Sequence, residues 1–328
     1  MQPAHAAGRL LFIGFRGLTI ADEPALAPLA AAGLIGGVLL LQRNCSSREQ
    51  LQSLCHSLHE LPSPHRLRIC IDQEGGSVQR LPWHDMPSAR DVAAGMSSDE
   101  AEALYEDMAH ELKACGVDWN LAPVVDLDID PLSPAIGAGG RSFGVNADTV
   151  SEFAGAFLRA HRKAGVKTCL KHYPGHGSAG VDTHEGLADI TDTWRQTELL
   201  PYSNLLQQGL VDAVMPGHLL HRECDAHCPA TLSAAHLRYL HEKLGWDGVV
   251  VSDDMQMGAL SAFGSAESLM LQALHAGADV LLAGNWLEFD ITLARRWNSL
   301  VQSAINQGEL PPERLRQAIQ RLERMFGV

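Results

Sequence analysis

The segment LKHYPGHGSAGVDTHEG, residues 170–186, crowds three histidines, a lysine and an aspartate among four glycines and a proline. Gly175, Gly177 and Gly180 imply a chain that bends tightly, hence a long structured loop, and such loops usually carry function. Asp182 and His184 are two residues apart and meet if that loop curls. The carboxylate would then orient the imidazole and raise its proton affinity, giving a proton donor that works near neutral pH. A loop histidine bonded only to backbone is the plainer alternative.

Two further segments are rich in carboxylates. VVVSDDMQMGAL, from Val249, ends an apolar run in Asp253 and Asp254. Side chains alternate along a strand, so these two point to opposite faces. One can enter a cavity while the other caps a following helix or bonds a neighbouring strand. IDQEGGSVQRL, from Ile71, places Asp72 and Glu74 before a Gly75–Gly76 turn, with Arg80 beyond it. Asp72 and Arg80 suit the grasp of sugar hydroxyls or of a carboxylate, or else form an ion pair that stitches the loop. Arg141 lies on another Gly-rich loop, IGAGGRSFG. The histidines and cysteines of residues 218–228, HLLHRECDAHC, match no standard zinc spacing, and a polar loop with incidental ligands is expected there.

These residues need a frame. Eight short runs rich in Val, Ile and Leu recur along the chain: LLFIGF, GGVLLL, RICIDQE, VDWNLAP, VKTCLKH, DAVMPGH, GVVVSDD and DVLLAG. Continuous hydrophobicity without alternation marks strands buried on both faces. Helices are expected between them, over residues 21–34, 47–59, 97–115, 148–164, 193–208, 233–244 and 266–276, with a last one over 311–325. Repeated strand–helix alternation predicts an α/β fold, a (β/α)8 barrel of the TIM type. An open doubly wound sheet is the competitor. Five of the eight runs end in polar clusters (Asp72–Glu74, Asn120, Lys171–His172, His218 and Asp253–Asp254), and barrels gather their chemistry at several C-terminal strand ends. No GxGxxG or Walker loop supports a nucleotide fold.

Composition narrows the partners. Of 328 residues, 46% are hydrophobic and 20% charged, as in ordinary globular proteins. A net charge of −14 opposes binding to nucleic acid or to anionic lipid surfaces. Seven cysteines, at positions 45, 55, 70, 115, 169, 224 and 228, show no disulfide framework. No basic leader or long apolar stretch appears. A soluble, reduced, cytoplasmic protein is expected, with no nucleic-acid or membrane partner.

KHYPGHG followed by DTH, with IDQEGGSVQR before it, GRSFG between and VVSDDM after, resembles glycoside hydrolase family 3. Within that family it is most similar to the single-domain bacterial β-N-acetylglucosaminidases (β-hexosaminidases) of cell-wall recycling. The resemblance implies one barrel domain over residues 1–328 and a retaining, exo-acting enzyme. That enzyme would release terminal β-linked N-acetylglucosamine from peptidoglycan-derived muropeptides. It implies Asp253 as nucleophile and His184, paired with Asp182, as acid/base. It also implies Asp72, Arg80, Arg141, Lys171 and His172 as holders of the terminal sugar. No metal or organic cofactor is implied, and a monomer with a carbohydrate substrate is expected. Departures such as Tyr173 for the familiar Phe, DTHEG for DSH-Leu and SDDMQM for SDDLSM leave the catalytic atoms in place.

Other readings are a β-glucosidase-like enzyme, a β-N-acetylglucosaminide phosphorylase and a non-catalytic sugar-binding barrel. A Schiff-base lysine at 171 would need an apolar pocket, and a metal-dependent barrel hydrolase would want an HxH on the first strand.

Overall fold

The computed structural model describes residues 3–328. Eight parallel strands form the frame: β1 (Leu11–Gly14), β2 (Gly37–Leu40), β3 (Arg68–Ile71) and β4 (Trp119–Asn120) in the first half. The second half holds β5 (Leu170–Tyr173), β6 (Ala213–Pro216), β7 (Val249–Asp254) and β8 (Val280–Ala283). All eight coincide with the apolar runs. Hydrogen bonding runs β4–β3–β2–β1–β8–β7–β6–β5. Parallel bridges from Trp119 to Lys167 and from Val124 to Lys171 join the two ends, so the sheet closes on itself. The expected barrel is the observed one.

Both faces of every strand are covered, which explains the unbroken hydrophobicity. Phe12, Leu39, Cys70, Trp119, Cys169, Met215, Val251 and Leu282 point inward and pack into one barrel core. Their neighbours Leu11, Val38, Ile69, Leu170, Val214, Val250 and Leu281 point outward into the layer beneath the helices.

The helices follow local chemistry. Arg48–His59 starts at Ser47, whose hydroxyl accepts the N–H of Gln50, and Ser98–Cys115 starts at a reciprocal Ser97–Glu100 capping box. Ala147–Ala164, Ala234–Glu242, Ala266–Ala276 and Pro312–Phe326 also lie where expected. Two expected helices are shorter. Pro24 and Pro28 confine the 21–34 segment to a 3-10 turn and a helix over Leu26–Ala31, where Pro28 falls in the first turn and needs no N–H. Pro201 similarly divides 193–208 into a 3-10 turn, Gln196–Leu199, and a helix, Leu200–Gln207. Three helices were not anticipated: Pro3–Gly8, Ala89–Gly95 and Leu293–Asn306. Among the described residues, no helix is long and apolar enough to cross a membrane.

Candidate active site

The inward register of the strands delivers the polar residues to one place. Counting by twos from buried core positions, Cys70 leads to Asp72, Cys169 to Lys171, and Val251 to Asp253. Each is therefore the first inward side chain beyond the apolar core, at the C-terminal mouth of the barrel. They line a pocket of about 280 Å³ together with Arg80, Arg141, His172, Asp182 and His184. All eight residues to which the resemblance gave a role thus share one cavity, while Asn120 and His218, the other polar strand ends, do not line it. Its floor is Leu39, Met215 and Leu282. The volume sits at the small end for ligand sites, which run roughly 300–1,000 Å³, and suits a single sugar ring.

One wall is a charged lattice. The Lys171 ammonium, 3% exposed, donates to Asp72 at 2.8 Å and reaches Glu74 at 2.6 Å. Arg141 grips Glu74 with two parallel hydrogen bonds of 2.9 and 2.8 Å and donates a third to the Ala135 carbonyl. Burial alone would neutralise these groups. The opposite charges prevail, holding Glu74 far below the usual carboxylate range and raising Lys171 and Arg141. Arg80 stands 3.8 Å from Asp72, too far for a good hydrogen bond, and its Nε is buried without a partner. The expected Asp72–Arg80 clasp is therefore loose, and Lys171 is the closer partner of Asp72. Arg141 spends most of its donors on Glu74 and Ala135, so it positions Glu74 as well as facing the cavity.

A second group centres on Asp126, which is fully buried in the loop after β4. It accepts from the His172 amide, from His172 Nδ1 at 2.8 Å and from the His176 amide at 2.8 Å. Burial would raise this carboxyl, but the neighbouring imidazoles and N–H groups hold it low. The Nδ1 bond leaves His172 Nε2 as the atom available to a ligand. Burial pushes His176 down to about 4, so that ring is neutral at physiological pH.

The two aspartates at the end of β7 were expected on opposite faces, but the pairing with β8 is irregular there and both border the pocket, with different bonds. Asp254 accepts from the backbone of Gly284 and Gln256, tying β7 to β8. Burial and the adjacent Asp253 charge raise it to about 6. Asp253 accepts from the Asp254 amide at 2.8 Å. Burial would raise Asp253 too, but His218, His172 and His184 overcome it and hold it at about 2. Asp253 is an ionised, partly accessible carboxylate in a pocket rimmed by imidazoles, and thus a competent nucleophile.

Across the mouth lies the loop dyad. His184 Nδ1 stands 2.8 Å from Asp182 Oδ1, which also accepts the His184 amide at 2.9 Å. Although burial opposes it, those two bonds keep Asp182 below the usual carboxylate range. An ionised carboxylate only accepts, so Nδ1 carries the proton and Nε2 is left to exchange one with a ligand. Of the three glycines expected to bend the loop, two are required by its geometry. Gly175 has φ +133°, and a Cβ on Gly177 would fall 1.6 Å from the Leu127 carbonyl oxygen; Gly180 has open space around it.

In residues 218–228 the first two histidines are engaged with other groups. His218 bonds Thr231 Oγ1 at 3.0 Å and the Asp254 carbonyl at 2.9 Å, while His221 packs on Trp194. Among the described residues, no cluster of three ligand side chains is poised for a metal.

Sequence reasoning did not single out Asp126, His176, Trp286 or Leu287, and placed Glu74 only at a strand end. Asp126 closes the run LAPVVD, and Trp286 follows the end of β8 by three residues. Position just past an apolar strand was the available signal in both.

The family model for the glycosyl hydrolase family 3 N-terminal domain matches residues 9–325. The chain belongs to that family. A β-hexosaminidase of Chromobacterium violaceum is 34% identical over 307 residues, covering 90% of this chain and 80% of its own. One of Hydrogenovibrio crunogenus is 37% identical over 264 residues, 77% and 72% of the respective chains. Among solved structures, the family 3 β-N-acetylglucosaminidase of Paenibacillus sp. str. FPU-7 superposes with a TM-score of 0.91 at 30% identity. That match covers 99% of this chain, which spans only 62% of the Paenibacillus protein. The β-N-acetylhexosaminidase of Beutenbergia cavernae has a TM-score of 0.90 at 27% identity, covering 100% of this chain and 99% of its own. The protein is thus a glycoside hydrolase whose curated relatives are β-hexosaminidases.

Proposed function

We propose that this barrel is a retaining, exo-acting β-N-acetylglucosaminidase that removes terminal β-linked N-acetylglucosamine from peptidoglycan-derived muropeptides. The observation that carries it is the pairing, in one pocket, of an ionised Asp253 with an imidazole held by Asp182. Asp253 attacks the anomeric carbon as the bond to the leaving oxygen breaks, and His184 Nε2 gives that oxygen its proton. A water then attacks the glycosyl ester, loses its proton to His184 Nε2 and releases the Asp253 carboxylate. Asp72, Lys171, His172 and Arg80 hold the hydroxyls of the terminal sugar, and Arg141 holds Glu74 beside them. A pocket sized for one ring favours exo action. Seven unbridged cysteines suit a reducing compartment, the cytoplasm, where wall fragments would be recycled.

The test is to trap the ester. A slow fluorinated N-acetylglucosaminyl substrate should leave its sugar on the peptide carrying Ser252–Met255, read by mass spectrometry. An adduct on Glu74 or Asp254 overturns the assignment of the nucleophile. Running the same substrate with and without inorganic phosphate separates hydrolysis from phosphorolysis by the product released.

A further inference from the structure

The pocket has charged walls over an apolar floor, and its rim carries a large exposed apolar surface. Trp286 is 60% exposed and Leu287 56% exposed, and both line the mouth of the cavity. An indole left in water at the edge of a catalytic pocket is a surface without a partner in the fold.

The segment that presents Trp286 is held rigidly. Asn285 is buried and, among the described residues, is the one non-glycine with positive φ, at 52°. Such a conformation persists where its surroundings over-determine it. Here Asn285 Nδ2 donates to the Gly14 carbonyl at 2.8 Å, its N–H donates to Gln256 Oε1 at 2.8 Å, and its Oδ1 accepts the Asp290 amide at 3.0 Å. Gln256 also donates to the Glu288 carbonyl at 3.0 Å, closing the loop over itself.

The same short segment after β7 fixes the acid loop. Ala259 donates to the Thr183 carbonyl at 3.1 Å, and Gly258 packs against the His184 carbonyl. Residues 256–259 therefore tie Trp286 and His184 to one side of the mouth. That is the side on which a leaving group must sit to receive its proton.

We infer that Trp286, with Leu287, is the binding platform for the leaving group, and that its occupant is the apolar ring face of a second pyranose. A pyranose with equatorial substituents shows weakly positive axial C–H bonds on its faces, which match the electron-rich face of an indole. This rests on the glycosidase reading above, which already supplies a sugar leaving group, and it names the residues of this chain that recognise that half of the substrate.

The test compares three substrates with the same terminal N-acetylglucosamine: the glycosyl fluoride, the β-1,4-linked disaccharide and an n-hexyl glycoside. The fluoride is too small to reach the rim. Trp286→Ala should lose about five- to tenfold in kcat/KM on the disaccharide and less than about twofold on the fluoride, and Trp286→Phe should recover most of the loss. Because the side chain is exposed and its backbone is held by Asn285, the variant keeps the fold, as its melting temperature will report. Equal losses on fluoride and disaccharide, or none on the disaccharide, overturn the platform. A larger loss on the hexyl glycoside than on the disaccharide assigns the rim to an aliphatic chain and also overturns it. If the unaltered protein cleaves none of the three, the glycosidase reading itself falls, and the platform with it.

Discussion

His184 is the residue on which the proposed chemistry turns, since an imidazole replaces the carboxylic acid more usual for proton donation to a glycosidic oxygen. General acid catalysis contributes about 10²–10⁴-fold where the leaving group needs a proton, and little where it departs as a stable anion. His184→Ala should therefore cripple alkyl and sugar leaving groups while costing far less with an activated aryl group. Asp182→Ala should give a milder version, because the imidazole remains but loses its orienting partner at 2.8 Å. The readout is kcat/KM against leaving-group pKa for the two variants, and a flat loss across the series assigns the proton to another group. This dyad was legible in the sequence because its members are two residues apart. Lys171 and His172 were legible on other grounds, as polar residues at the close of a strand. The partners that tune them were not: Asp126 lies 46 residues before His172, and Glu74 67 before Arg141. No local pattern marks a contact made by the closure of a barrel.

At the scale of elements, the loop from Gly175 to Gly186 rests on a buried acid. Glu198, in the 3-10 turn Gln196–Leu199, packs against Gly175, and its Oε1 accepts the Arg195 amide at 3.2 Å. Burial raises it from 4.5 to about 7. In the unfolded chain Glu198 loses its proton near the ordinary value, so between about pH 4.5 and 7 the folded protein alone retains it. Stability from this group is then present at low pH and is lost as pH rises through the folded value, by an amount on the order of 3 kcal/mol. Glu198→Gln keeps the shape and cannot ionise. Its melting temperature should gain on that of the unaltered protein between pH 5 and pH 8, and a constant difference removes Glu198 as the titrating group. Elements themselves were uneven in legibility. The eight strands announced themselves because both faces are buried, and Ser47 and Ser97 marked their helices by capping chemistry. Leu293–Asn306 gave no such mark: its N-cap Thr292 makes no side-chain cap bond, and Arg295–Arg296 interrupt its first turn. Only the spacing of Leu293, Trp297, Val301 and Ala304, all buried, records its inner face.

Across the whole molecule, the catalytic mouth and the foundation of the barrel lie at opposite ends, so each can be perturbed without the other. The helix Pro312–Phe326 closes the N-terminal end, where Leu322 and Met325 join the barrel core and Phe326 meets Trp119 edge-on at 6.2 Å. A buried ion network fastens it. Asp279, fully buried just before β8, accepts from Arg314 at 2.8 Å, lies 3.4 Å from Arg321 and also accepts the Val250 amide at 3.0 Å. Removing one partner of a buried pair strands the other charge and costs about 3–5 kcal/mol. For a chain of this length that corresponds to a fall in melting temperature of roughly 4–7 °C. Asp279→Ala should show that fall while kcat/KM at 25 °C stays within about twofold, because none of the pocket residues bonds to Asp279. Thermal melts and steady-state kinetics on the same sample decide it. A variant that keeps its melting temperature shows that the apolar contacts of Leu322, Met325 and Phe326 hold the helix without the ion network. A variant that loses activity in proportion to stability shows that the two ends of the barrel are mechanically coupled, and the division of labour between foundation and mouth must then be given up.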